Sequence, residues 1–190
     1  MFYKLIKKKC DEWLRSSECT IRELIQYIHA QNKMRDAQIE AIQIYLYLKI
    51  VCGNKPLWQL FSEGIFNSLD LNAMALTLEE RGLFISNKGA AALLEYSLLK
   101  DKNGDQIAPE LEKFLKKRGA QIDYGAVFQK IFYGVTYTDY LFSLPMGAGK
   151  TYLMAAFIYL DLYFAQNEPE NPAFAHNFMV TCRSSCHLMI

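Results

Sequence analysis

The first 134 residues place apolar side chains at the three- and four-residue spacing of amphipathic helices. Thr20, Asp36 and Asp123 precede three of these stretches and are predicted to cap them. The predicted helix after Asp36 is apolar nearly all round, so we expect it at the centre of the fold. The predicted helices cover residues 2–14, 21–30, 37–52, a short segment that starts at Pro56, 76–83, 88–99, 109–118 and 124–133.

The pattern changes after residue 139. Residues 140–144 are apolar and aromatic with one serine, which is typical of a buried parallel strand. Pro145 ends this run, because a proline cannot donate the next ladder hydrogen bond. Residues 152–165 are almost wholly apolar and are predicted to form a helix buried against a sheet. Residues 177–181 predict a second strand, so that strand, helix and strand make one right-handed crossover.

The turn between the predicted strand and helix contains the residue types that bind phosphate. Glycine lets the backbone come close to phosphate oxygens, and a helix N-terminus adds unpaired N–H groups. Lys150 suits the β- and γ-phosphates, and Thr151 offers a hydroxyl to Mg²⁺. The general pattern requires a first glycine where this chain has Leu144, so a glycine turn with an accidental Lys-Thr pair is the alternative. The candidate site residues here are Met146, Gly147, Ala148, Gly149, Lys150 and Thr151.

This departure from the general pattern is itself informative. Pro-x-Gly-x-Gly-Lys-Thr at residues 145–151, after an apolar strand, resembles motif I of the superfamily 2 helicases and translocases. The similarity is greatest to the Res subunit of type III restriction enzymes and its DEAD/DEAH-box relatives.

A second segment supports the resemblance. Residues 34–42, Met-Arg-Asp-Ala-Gln-Ile-Glu-Ala-Ile, are similar to the family's Arg-x-x-Gln-x-Glu-Ala segment upstream of motif I. The resemblance implies that Gln38 reads the adenine base, with Arg35 in support. A glutamine amide can pair with both N6 and N7 of adenine. The alternative is that Gln38 is a polar first-turn residue that faces water.

The resemblance implies an α/β fold, a RecA-like P-loop NTPase that begins with a parallel sheet and follows a mostly helical region. Residues 1–53 would be the helical N-terminal region with the glutamine segment, 54–134 a helical insertion, and 135–190 the start of the P-loop helicase core. The insertion is expected to contact DNA or a partner, and the sequence does not choose between these roles.

The implied function is ATP binding in the N-terminal part of an ATP-dependent nucleic-acid helicase or translocase, with ATP and Mg²⁺ as cofactors. DNA is favoured over RNA as the nucleic acid, and a partner subunit is not identified. The alternative is a regulatory or defence-associated NTPase that binds nucleotide without helicase action.

The acidic residues needed for ATP hydrolysis are missing from the sequence after Lys150. No Asp-Glu-x-His/Asp box follows it, and the later carboxylates are those of Asp161, Glu168 and Glu170. Phosphoryl transfer needs acids that hold Mg²⁺ and orient the attacking group. We therefore expect no catalytic residue in this chain and no ATP turnover by it alone. The residues after Thr181 leave the family's pattern abruptly and are interpreted as the frayed or frameshifted end of a truncated core.

Composition and charge limit the partners. The 190 residues carry a formal net charge of +1, so any contact with nucleic acid must be local. Lysines cluster in residues 4–9, where they either contact a nucleic-acid backbone or form a solvated helix face. No secretory signal is visible, and the apolar run at 152–165 is shorter than the ~20 residues that span a membrane.

Five cysteines, odd in number and mostly scattered, are typical of a reduced protein, so we expect a cytoplasmic location. Residues 182–187 place two cysteines and a histidine close together, but they lack the second ligand pair that a structural zinc site needs.

Overall fold

Helices joined by turns and loops make up the fold. The computed structural model describes residues 2–101, 103–135 and 137–179, and 58% of these residues are helical. The helices are α1 (Tyr3–Arg15), α2 (Arg22–Ala30), α3 (Asp36–Ile50), α4 (Leu57–Ser62), α5 (Leu78–Ser86), α6 (Lys88–Leu98), α7 (Pro109–Arg118), a 3₁₀ turn (Gly119–Gln121), α8 (Tyr124–Ile131) and α9 (Lys150–Asn167).

The chain divides into two compact units. The first, Met1–Ser143, contains α1 to α8, and the second, Leu144–Ile190, contains α9. The predicted domain boundaries at residues 53 and 134 stay predictions. Residues before and after position 53 belong to the same compact unit.

Two central helices organise the first unit. α3 contacts α1 and α2, and its residues Ile42 and Leu46 are fully buried, as expected for a helix that is apolar nearly all round. α6 contacts α4, α5, α7 and α8. Gly89 in α6 permits a close approach, because a Cβ at this position would lie 2.9 Å from Cβ of Tyr124.

An aromatic cluster centred on Phe61 joins these two groups of helices. The Phe61 side chain is fully buried, and its ring centroid lies 4.6 Å from that of Phe2 and 4.7 Å from that of Phe66. The rings of Phe128 and Phe132 stack on it at 5.9 and 5.6 Å. The start of α1, α4 and the end of α8 therefore share one apolar centre.

A polar network makes a second connection. Glu95, a buried residue of α6, accepts hydrogen bonds from the backbone N–H of Ser68 at 2.8 Å and from its hydroxyl at 2.7 Å. Lys8 of α1 donates to the same hydroxyl oxygen at 2.7 Å, and Lys7 pairs with Glu40 of α3 at 2.5 Å. Lys7 and Lys8, two of the four lysines in residues 4–9, are thus engaged within the fold.

The predicted α/β fold, a RecA-like P-loop domain beginning with a parallel sheet, is wrong. In the described residues, strand-type pairing is limited to the isolated bridge between Lys100 and Gln106. Residues 140–144 form no ladder; the Tyr140 hydroxyl donates to the Lys55 carbonyl at 2.9 Å, and Leu141 is 92% exposed. An extended run becomes a strand only where a neighbouring strand pairs its backbone groups.

The second predicted strand is also wrong in the part that the structure describes. Residues 177–179 are not in a strand, and residues 180 and 181 lie outside the described residues. The predicted burial of the helix between the two predicted strands is also wrong on one face, since Tyr152, Tyr159 and Tyr163 of α9 are 51, 69 and 48% exposed.

The observed helix ends confirm some of the local predictions and contradict others. The prediction for 109–118 is confirmed to the residue, and Asp123 caps α8 by accepting a hydrogen bond from the Ala126 N–H at 3.0 Å. The predicted Thr20 cap is wrong, because Ile21 occupies the N-cap of α2 and makes no side-chain cap bond. Asp36 is the first helical residue of α3, and Arg35 is its N-cap.

Replacing Phe61 by alanine tests the shared apolar centre. We expect Phe61→Ala to lower the free energy of unfolding by about 3–5 kcal/mol, because a cavity replaces a buried ring. Urea denaturation followed by circular dichroism measures this change. Phe114→Ala is the control, since Phe114 is 48% exposed and its replacement should change the free energy by less than about 0.5 kcal/mol. Equal effects would show that Phe61 is not central.

Two buried thiols lie near the α1–α3 contact. Cys10 and Cys52 are 1 and 5% exposed, and burial raises the pKa of each thiol from 9.0 to about 12. The hydroxyl of Tyr47 forms a side-chain hydrogen bond with Cys52, and burial also raises the pKa of that tyrosine. The fold therefore holds both thiols in the protonated form.

Stability should depend on pH through these thiols. Their folded pKa lies above the unfolded value, so their contribution is complete below pH 9 and is lost as the pH rises towards 12. At pH 8, iodoacetamide should leave Cys10 and Cys52 unmodified in the folded protein and alkylate both in urea, as peptide mass spectrometry can show. Rapid alkylation of either residue in the folded protein would contradict the assignment.

Candidate nucleotide site

The glycine-rich turn has a defined backbone geometry. The Ala148 N–H donates to the Pro145 carbonyl at 3.2 Å, which closes the turn over Met146 and Gly147. Gly147 and Gly149 have φ angles of 75° and 76°, in the left-handed region that residues with a side chain rarely adopt. The backbone conformation therefore favours glycine at both of these positions.

α9 begins directly after this turn. Gly149 is its N-cap, and the Leu153 N–H donates to the Gly149 carbonyl at 3.1 Å. The first N–H groups of a helix have no carbonyl partner within the helix. Lys150 and Thr151 are the first two helical residues, and both are exposed. An ammonium group and a hydroxyl thus lie in the turn that also presents the positive end of the helix dipole.

This arrangement has the donors that a phosphate group requires. Backbone N–H groups in a turn with left-handed residues form a concave anion site, and a helix N-terminus adds to it. The Thr151 hydroxyl fits Mg²⁺, which takes oxygen ligands and keeps most of its coordination as water and phosphate oxygen. Loop, lysine and threonine together are the residue types that binding of a polyphosphate with its metal ion requires.

The remainder of α9 is covered on one side by the chain that follows it. Asp161 is 1% exposed, and its carboxylate accepts a hydrogen bond from the Ala175 N–H at 3.1 Å. The ring of Phe164 stacks on that of Phe174 with centroids 4.7 Å apart. Asp161 is the twelfth residue of the helix, roughly 16 Å along its axis from Lys150. Its carboxylate therefore anchors residues 168–175 after α9, the return loop, rather than the glycine-rich turn.

From the sequence, Asp161 is only one of the three carboxylates that follow Lys150, with no role assigned to it. The signal that could have identified its role is its isolation, since a lone carboxylate in an apolar helix must find a hydrogen-bond donor when it is buried.

Gln38 serves the start of α3. It is 4% exposed, and its side-chain oxygen accepts a hydrogen bond from the Arg35 N–H at 2.9 Å, while its own N–H donates to the Arg35 carbonyl at 2.9 Å. The alternative in which Gln38 faces water is therefore wrong. Pairing with adenine would use the second lone pair of this oxygen and would require the buried amide to become exposed to the base. The side chain of Arg35 is exposed.

The predicted site residues fall into two groups. Residues 146–151 lie together in one turn of the second unit, whereas Arg35 and Gln38 belong to the first unit. The adenine role of Gln38 and Arg35 and the phosphate role of the turn stay predictions.

Comparison with known proteins gives no independent assignment. No protein-family model, no curated protein and no solved structure matches the chain significantly. The resemblance to the superfamily 2 helicases is that of residues 34–42 and 145–151 alone and stays a prediction.

Metal-ligand clusters and membrane-spanning helices are both absent from the described residues. Within residues 2–101, 103–135 and 137–179, no three histidine, cysteine or acidic side chains are grouped so that they could hold a metal ion. The cysteines and histidine of residues 182–187 lie outside these ranges. None of the described helices combines the length and the apolar character needed to cross a bilayer.

The anchoring role of Asp161 can be tested by hydrogen exchange. Asp161→Ala leaves the Ala175 N–H without this acceptor, which costs about 1–3 kcal/mol, and should speed its exchange by roughly 5- to 150-fold. NMR measures this rate residue by residue. Asp161→Asn retains an oxygen acceptor and should change the rate much less. Unchanged exchange in the alanine variant would show that the bond does not hold the loop.

Proposed function

We propose that residues 146–151 bind the phosphate groups of ATP together with Mg²⁺. The observation that carries this proposal is the turn itself, in which two left-handed glycines lead directly into a helix that begins with lysine and threonine. Each feature has a reason in phosphate binding, and the combination occurs within six residues. A glycine turn that only reverses the chain would not require the exposed Lys-Thr pair.

Each residue has a separate role in this proposal. The backbone of the turn surrounds the phosphate oxygens, and Lys150 places its ammonium group against the β- and γ-phosphates. Thr151 supplies one ligand to Mg²⁺. The bound metal ion neutralises charge between the two terminal phosphates. These contacts bind and orient the triphosphate.

We further propose that this nucleotide site is the ATP-binding part of an ATP-dependent nucleic-acid helicase or translocase similar to the type III restriction Res subunit, with DNA as the favoured nucleic acid. The motif I spelling of residues 145–151 and the Arg-x-x-Gln segment support this proposal. This proposal concerns only the ligand and the class of activity. The RecA-like sheet that the resemblance implied is not part of it. The alternative, a nucleotide-binding NTPase without helicase action, shares the same phosphate contacts.

We also propose that this chain alone binds ATP without hydrolysing it. Asp161 is engaged by the return loop, and Glu168 at the end of α9 accepts a hydrogen bond from the Asn171 side chain at 2.9 Å. Neither carboxylate lies in the turn that would hold the phosphates. Hydrolysis needs an acid near the metal ion and the attacking water.

Replacing Lys150 by alanine tests the phosphate site. Loss of a charge-assisted contact costs about 1.5–3 kcal/mol, so Lys150→Ala should weaken Mg²⁺-ATP binding by more than about tenfold in calorimetric titration. Lys88→Ala is a matched control, because Lys88 is also an exposed first residue of a helix, α6, but follows no glycine turn. Equal ATP affinity in both variants would reject the site.

The same titrations separate the two activity classes. A translocase couples its two ligands, so duplex DNA should change the affinity for ATP, and ATP should change the affinity for DNA by the same factor. An NTPase without helicase action predicts no such coupling. ATP hydrolysis by this chain that Lys150→Ala abolishes would contradict the proposal that it only binds.

A further inference from the structure

Tyr152 is an exposed aromatic residue beside the phosphate turn. It is the third residue of α9 and follows Thr151 directly. Its side chain is 51% exposed, and within the described part of the chain it makes no side-chain hydrogen bond and no ring contact. A large tyrosine ring without an internal partner, next to a proposed phosphate site, is available to a ligand.

Helix geometry directs this ring towards the turn. Every Cα–Cβ bond in a helix tilts towards the N-terminus, and long side chains lie over the preceding turn. For the third residue of α9, the preceding turn is the glycine-rich segment itself. Asp161, nine residues later, lies half a turn round the helix and faces the return loop. Tyr152 therefore occupies the open side of α9, at its phosphate-binding end.

Gln38, the predicted adenine reader, is engaged at the start of α3. Its amide oxygen already accepts the Arg35 N–H at 2.9 Å, and its side chain is buried. A base could pair with this amide only if the side chain became exposed. Stacking needs no hydrogen-bonding edge, because every base has a π-face. The ring of Tyr152 provides a surface for stacking, next to the residues that would hold the phosphates.

We propose that Tyr152 stacks on the nucleobase of the nucleotide whose phosphates bind at residues 146–151. This inference rests on the proposed phosphate site and adds a ligand class to it: nucleoside triphosphates, bound with little preference between adenine and guanine. Phosphate contacts then supply anchoring, and the stacked ring distinguishes a nucleotide from an inorganic polyphosphate.

Three ligands separate the contribution of the phosphate contacts from that of base stacking. Binding of Mg²⁺-ATP, Mg²⁺-GTP and Mg²⁺-tripolyphosphate is measured by calorimetry for the unmodified chain and for each variant. Tyr152→Ala should weaken both nucleotides by roughly 5- to 150-fold, the range that corresponds to loss of one stacked base. It should leave tripolyphosphate binding unchanged, since that ligand has no base. Tyr152→Phe retains the ring and should bind both nucleotides like the unmodified chain.

Tyr159 provides a matched control on the same face of the helix. It is 69% exposed, and it lies seven residues after Tyr152, roughly 10 Å further along the axis. Tyr159→Ala should therefore leave all three affinities unchanged. Circular dichroism of each variant shows that α9 and the remaining helices are retained.

The possible failures are distinguishable. Absence of tripolyphosphate binding, or binding that Lys150→Ala does not weaken, rejects the phosphate site and with it the stacking proposal. Tripolyphosphate binding with nucleotide affinities that Tyr152→Ala leaves unchanged rejects stacking alone. Equal losses in the Tyr152 and Tyr159 variants also reject it. A preference for ATP over GTP that Gln38→Ala removes would transfer base recognition to Gln38.

Discussion

The first unit depends on the contacts that the buried ring of Phe61 makes. This ring meets Phe2 from before α1, Phe66 from the loop after α4, and Phe128 and Phe132 from the end of α8. Segments far apart in the sequence thus share one dehydrated centre. The carboxylate of Glu95 and the hydroxyl of Ser68 join α1 to α6 close to this region by hydrogen bonds. Apolar burial supplies the energy, and the polar network fixes which surfaces meet.

Local signals predicted the helices well, because each helix satisfies its own backbone. Residues 109–118 carry a proline at the start, acidic residues in the first turn and basic residues in the last, and all three agree with the helix that forms. Asp123 caps α8 for the same local reason. The Arg-x-x-Gln spacing also held a local signal, since a glutamine at the third helical position can accept from the N-cap backbone, as Gln38 does.

The strands could not be predicted in the same way. The run at 140–144 specifies a nearly continuous apolar character, but pairing depends on a partner strand elsewhere in the chain. Side chains attach this segment instead: Tyr140 reaches the Lys55 carbonyl, and Phe142 meets the edge of Tyr45. At the candidate site, the residue types of the turn could be predicted from the sequence. The left-handed conformation of its glycines, the hydrogen bond that buries Asp161 and the exposure of Tyr152 are visible only in the structure.

The distribution of aromatic residues has an optical consequence. The chain has two tryptophans, Trp13 and Trp58, and both belong to the first unit. Trp13 is buried beside Tyr47, with ring centroids 5.6 Å apart. The second unit contains tyrosine but no tryptophan. Tryptophan emission excited at the red edge of the absorption band therefore originates from the first unit alone, and a nucleotide bound at residues 146–151 would have no indole within its own unit.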